Sequence, residues 1–219
     1  MKYISAVISL IKKDLLVEMH NRELLYSVVI FPALFSLLAD YFLSSKMHSY
    51  AENAVTMWII IYLMLINTLP GIFSRERQNG NVIFIKLYST YSVFFVSKFL
   101  FSIIISFCVM LTAIIIFAAR DRIADENYYR LLILAMTASA AAASSTITVS
   151  MFLLSRRVNN FIYGIIVIPL TIPIIYTSIL CTTTINSTSF FTGITFLLAF
   201  SVFFFCISFL LGEILWRNE

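Results

Sequence analysis

Charge is scarce in this chain. Asp, Glu, Lys and Arg make up only 12% of its 219 residues. An ordinary soluble domain carries about 25%, so a soluble globular fold is excluded. Imidazoles are scarcer still: His20 and His48 are the two histidines, and a lone loop histidine such as His48 is a weak basis for a metal or cofactor ligand. The three cysteines, Cys108, Cys181 and Cys206, are odd in number and show neither a disulfide framework nor metal-ligand spacing. They read as small apolar packing residues. There is no Gly-x-x-x-x-Gly-Lys-Ser/Thr loop, no His-Glu-x-x-His and no His-x-x-Glu pair on an apolar stretch. The chain therefore has no visible means of hydrolysing ATP itself.

What is present is hydrophobic length. Apolar residues make up 61% of the chain, and its mean hydropathy is +0.96. A helix of roughly 20 apolar residues crosses about 30 Å of hydrocarbon. Six stretches reach that length, near 24–43, 54–73, 94–118, 131–154, 161–180 and 191–214. The expectation is an all-α membrane protein with six transmembrane helices, one transmembrane domain over 1–219, and connections too short for a further soluble domain. Residues 1–22 read differently. Ile4, Ile8, Ile11, Leu15 and Met19 fall on one helical stripe, with Lys2, Lys13 and His20 opposite and Glu18 at the stripe's edge. Lys12-Lys13-Asp14 follows the apolar start with no small-residue cleavage site, so an amphipathic interfacial helix is expected rather than a signal peptide.

Lys and Arg near span ends set orientation. With six spans, Lys2, Lys12, Lys13, Arg22, Arg75, Arg77, Lys86, Lys98, Arg156, Arg157 and Arg217 share one side, and Lys46, Arg120, Arg122 and Arg130 the other. This bias places both termini in the cytoplasm. It also accounts for most of the net charge of +4 without a nucleic-acid partner. Tyr41, Trp58, Tyr128, Tyr129, Tyr163 and Trp216 fall near the expected water interfaces, as an aromatic belt would.

Four features stand out beyond the spans. The connection 74–92 begins with Arg75, Glu76 and Arg77, turns at Asn79-Gly80, and becomes apolar through Val82, Phe84 and Leu87. It is either a short surface helix placed to receive force from a motor subunit or an ordinary solvated loop. Pro169 and Pro173 lie four apart in the fifth span, each removing a backbone donor. That span is either a bendable helix lining a substrate route or a fixed kink, with Thr171 and Thr177 as local donors for freed carbonyls; Pro70-Gly71 marks a similar weak point in the second. The run 137–146 is almost wholly Ala, Ser and Thr and reads as a close-packing face, within the chain or between subunits. Asp40, about one turn inside the outer end of span one, is the nearest approach to an intramembrane acid. Glu213 and Arg217, four apart, read as a local pair.

The string Pro169-Leu170-Thr171-Ile172-Pro173, preceded by the Arg156-Arg157 turn, resembles the CcmB family, the haem-exporter B subunit of the cytochrome c maturation system. The resemblance covers the whole chain in length, six-span layout and order of features. It includes the connection around Gly80 and the Lys98 that opens span three. Two departures concern that connection: Ile83 stands where the family usually has an acid, and Tyr88-Ser89-Thr90-Tyr91 where it usually has prolines. The Phe- and Ile-rich, Gly-poor composition fits an AT-rich genome, bacterial or mitochondrial.

The resemblance implies an ABC-2-type permease subunit that is not itself an enzyme. A separate ATPase similar to CcmA would bind the ATP and dock on Arg75, Glu76, Arg77, Gly80, Val82, Phe84 and Leu87. Pro169, Thr171 and Pro173 would form the kinked helix. Membrane partners similar to CcmC and CcmD would handle haem, which is cargo here rather than a cofactor assigned to residues of this chain. The location implied is the bacterial inner membrane, or else the mitochondrial inner membrane. Two alternatives stand beside this reading. One is an ABC-2-type permease for a drug, lipid or polysaccharide. The other is a secondary transporter or membrane enzyme, for which ionisable residues clustered in or beside the spans would be expected.

Overall fold

A computed structural model describes residues 2–20, 26–44, 49–69, 90–119, 128–154, 160–185 and 187–218. Those residues are helical apart from caps and one tight turn. Helix α1 (Lys2–His20) comes first. A π-helical turn, Tyr26–Ile30, then leads into α2 (Phe31–Ser44), followed by α3 (Tyr50–Thr68), α4 (Tyr91–Ala119), α5 (Tyr128–Leu154), α6 (Asn160–Thr183) and α7 (Thr188–Asn218). Helices suit apolar sequence in a bilayer because each backbone N–H and C=O is satisfied within its own segment.

Five helices, α3 to α7, are long and apolar enough to cross a membrane. The protein thus has the build of a multi-pass membrane protein. The first expected span takes another form. Its α-helix has only 14 residues and is preceded by the five-residue π-turn. Pro32, buried at the second position of α2, supplies a physical reason. It has no N–H to give the carbonyl of Val28, and its ring crowds that carbonyl, so a widened turn before it relieves the clash.

The small-residue run explains the centre of the bundle. Ala135, Ala138, Ala141, Ala142, Ala143, Ser139, Ser144 and Ser145 of α5 are fully buried. Helix α5 packs against α4, α6 and α7, so the close-packing face expected at 137–146 lies within the chain. Cross-helix bonds pin the register. Ser106 donates to the Ser139 carbonyl at 3.3 Å, Thr148 and Ser208 share a hydrogen bond, and Tyr163 donates to the Thr146 carbonyl at 3.2 Å.

Helix α3 starts at a capping box. Ser49 Oγ accepts from the Glu52 N–H, and the Ser49 N–H donates to Glu52 Oε2, satisfying two donors that a helix start otherwise leaves open. The helix then packs on α6, where Trp58 Nε1 donates to Thr182 Oγ1 at 2.8 Å. Trp58 and Tyr163 are therefore interior residues, not belt residues: Trp58 is fully buried and Tyr163 nearly so. Tyr41, Tyr128 and Tyr129 are exposed, as belt residues should be. Trp58→Phe removes the indole donor while keeping most of the ring. It is expected to destabilise the bundle by about 0.6–1.7 kcal/mol, read as a lower midpoint in detergent unfolding.

Candidate functional site

Because successive helices run antiparallel, the start of α4, the end of α5, the start of α6 and the end of α7 gather at one end of the bundle, and α1 packs there on α4. An aromatic cluster ties α4 to α7. Phe94 stacks on Trp216 with ring centres 5.4 Å apart, Tyr91 lies 5.8 Å from Trp216 and 5.4 Å from Phe209, and Phe95 meets Phe209 edge-on at 5.4 Å. The Tyr91 hydroxyl donates to the Ser208 carbonyl at 3.4 Å. It reaches that carbonyl over Gly212, where an added Cβ would collide with the hydroxyl and the ring carbon that bears it. Glycine at this position is what allows α4 and α7 to approach so closely.

The second tie is ionic. Lys98 Nζ donates to Asp14 Oδ2 at 2.8 Å, and both residues are buried, 4% and 6% exposed. Lys13, on the solvent side, lies 3.5 Å from the other carboxylate oxygen. The Lys98 ammonium also sits 5.8 Å from the centre of the Phe94 ring, close enough for a cation–π attraction. Asp14 is therefore flanked by two cations, one buried and one wet. Helix α4 has 29 residues, about 43 Å at 1.5 Å per residue, longer than the hydrocarbon layer. Lys98 lies two turns from its start.

The expected amphipathic helix forms, with its faces assigned in more detail. Val7 and Asp14, two turns apart, are buried; Leu10 and Ile11 between them are half-buried. Ile4 and Ile8, from the sequence-derived apolar stripe, are more than half exposed. Ile4 and Ile8 thus face away from the bundle, as suits a lipid contact, while Ile11 of the same stripe packs against the core.

The proline helix is continuous from Asn160 to Thr183. Pro169 lies in an outward row with Ile165, Ile172 and Tyr176, all exposed, while Thr171, Ile174 and Ser178 are buried. Pro169 therefore faces away from the bundle interior, and Pro173 is half-buried. Thr171 Oγ1 donates to the Ile168 carbonyl and Thr177 Oγ1 to that of Pro173. These are local donations, but not to the carbonyls of Ile165 and Pro169, the two that prolines at 169 and 173 would ordinarily leave unbonded.

At the opposite end, Arg130 donates to the Ile185 carbonyl at 2.5 Å and lies against the rings of Tyr129 and Phe190. It thereby holds the α6–α7 turn against the start of α5.

Several sequence-derived positions lie outside the described residues: Arg75, Glu76, Arg77, Gly80, Val82, Phe84 and Leu87, the Arg156-Arg157 turn, Pro70-Gly71 and His48, and the side chains of Asp40, His20 and Arg217. Comparison of the chain with family models, with curated proteins and with solved structures finds no match.

Proposed function

We propose that this chain is the non-catalytic membrane subunit of an ABC-type complex that acts in haem export or delivery for c-type cytochrome biogenesis. In this reading the segment 26–44 completes a six-span ABC-2-type permease. Both termini lie in the cytoplasm, and the membrane is the bacterial inner membrane or its mitochondrial counterpart. A separate ATPase docks on the connection that contains Arg75, Glu76, Arg77, Gly80, Val82, Phe84 and Leu87. Membrane partners similar to CcmC and CcmD handle haem beside it.

The observation that carries the reading is the convergence at the start of α4. The helix begins at Tyr91, directly after that connection. Within its first two turns it is joined to α7 through Tyr91 and Phe94 and to α1 through Lys98. A push on the connection would enter the bundle where three helices meet. Among cargoes, the Pro-Leu-Thr-Ile-Pro string favours haem.

Phe84→Asp tests the docking. A carboxylate placed in an apolar contact costs more than about 1.4 kcal/mol, a tenfold loss of affinity. ATPase co-purifying with the chain should drop by at least about that factor while the amount of inserted chain stays constant. Full retention of the ATPase would refute the docking segment.

A further inference from the structure

We infer that Asp14 and Lys98 are positioning residues that fasten α1 to the head of α4, so that the interfacial helix moves with α4 when the preceding connection is driven. The inference rests on the functional reading above for its driver, and on geometry for the joint itself.

The geometry is narrow. Among the described side chains of α1, only Val7 and Asp14 are buried. Ile4, Ile8, Leu16 and Val17 are largely exposed. Leu10 and Ile11 are half-buried, and Ile11 packs against the core; to this apolar contact the ion pair adds a charged tie between α1 and α4. Pulling it apart would separate two opposite charges that are each buried, and such a separation is disfavoured. Lys13, 3.5 Å from Asp14, does not replace Lys98. It is on α1 itself, so its contact with Asp14 does not tie α1 to α4. The aromatic contacts of Tyr91 and Phe94 meanwhile bind the same stretch of α4 to α7. The head of α4 is therefore held on two sides by different chemistry: apolar stacking toward α7 and charge toward α1. A passive staple would affect only how much chain survives. A positioning joint should also set how much output each ATP yields.

The test uses the full chain in its complex. Val7→Cys reports the joint: buried, it should resist a membrane-impermeant maleimide in vesicles of either orientation, against a parent control that keeps its three native cysteines. Asp14→Asn or Lys98→Met should raise Val7→Cys labelling by about tenfold and lower c-type haem formed per ATP hydrolysed. The exchange Asp14→Lys with Lys98→Asp should restore both. If the single variants are degraded, the neutral double variant Asp14→Asn with Lys98→Met, which removes both charges of the pair, takes their place. It should accumulate normally, yet label faster and yield less haem per ATP. Labelling unchanged in all of these variants would overturn the joint. Raised labelling with an unchanged haem-to-ATP ratio would overturn the positioning role. If depletion of the chain spares c-type haem while the labelling pattern holds, the functional reading fails, and the coupling role with it, but the joint stands.

Discussion

Replacing Lys98 by methionine, with Asp14 left in place, is expected to destabilise the folded chain by about 3–5 kcal/mol. The reason is what remains behind. Asp14 is 6% exposed, and without its 2.8 Å partner the carboxylate must recover water or recruit Lys13 more closely. Recovering water moves α1 away from its seat on α4. Asp14→Asn should be similarly costly, because it removes the 2.8 Å charge partner of the buried Lys98. The neutral double variant should cost far less than either single change, since removing both charges also removes the desolvation penalty. The non-additivity is the diagnostic part. It can be measured as unfolding midpoints of the four chains in a mild detergent titrated with a denaturing one. Two single variants with parental midpoints would show that the pair carries no stability.

Gly193→Ala should be the other severe change. Helices α6 and α7 approach so closely there that an added methyl would fall on Cys181 Sγ, with Thr177 Cγ2 at 3.4 Å. Cys181 is fully buried, and its thiol points at the Phe190 carbonyl, so the sulfur has little room to retreat. Overpacking of this kind typically costs about 1–3 kcal/mol. The contact also predicts its own remedy. Cys181→Ala removes the sulfur and leaves the nearest cysteine-derived carbon at 3.9 Å from the new methyl, an ordinary van der Waals distance. The double variant should therefore be more stable than Gly193→Ala alone, even though Cys181→Ala by itself opens a small cavity. If Cys181→Ala worsens Gly193→Ala additively, the two helices are not packed as described.

Much of this arrangement is legible in the residues. Long apolar runs mark α3 to α7 because a bilayer demands them, and the Ala/Ser/Thr run of α5 marks the central helix because only small side chains let three neighbours approach at once. The capping box at Ser49 and Glu52 is an ordinary local signal for a helix start. Pro32 is the local signal for the π-turn, and span-length hydropathy overlooks it by averaging across the proline.

The ion pair is harder to read. Lys98 looks like one more positive-inside charge, and Asp14 like part of a charged break after the apolar start. Yet Asp14 lies seven residues from Val7, on the same helical face, and an acid on a half-apolar face signals a buried partner. Which lysine answers it depends on tertiary packing that no local pattern encodes. Trp58 and Tyr163 are hard to place from sequence for a related reason. Position near a span end suggests a belt, but whether the ring turns toward lipid or toward Thr182 or Thr146 is decided by the neighbouring helix. For the proline helix, the four-residue spacing identifies a shared side. It does not say that Pro169 faces outward.

The central claim, a permease subunit serving c-type cytochrome biogenesis, is tested most directly by a haem-stained gel of c-type cytochromes from cells depleted of this chain, with b-type haem spectra as the control. Selective loss of covalently bound haem, restored by re-expression, is the predicted result. Unchanged c-type haem would contradict the account and leave a multi-pass helical membrane protein.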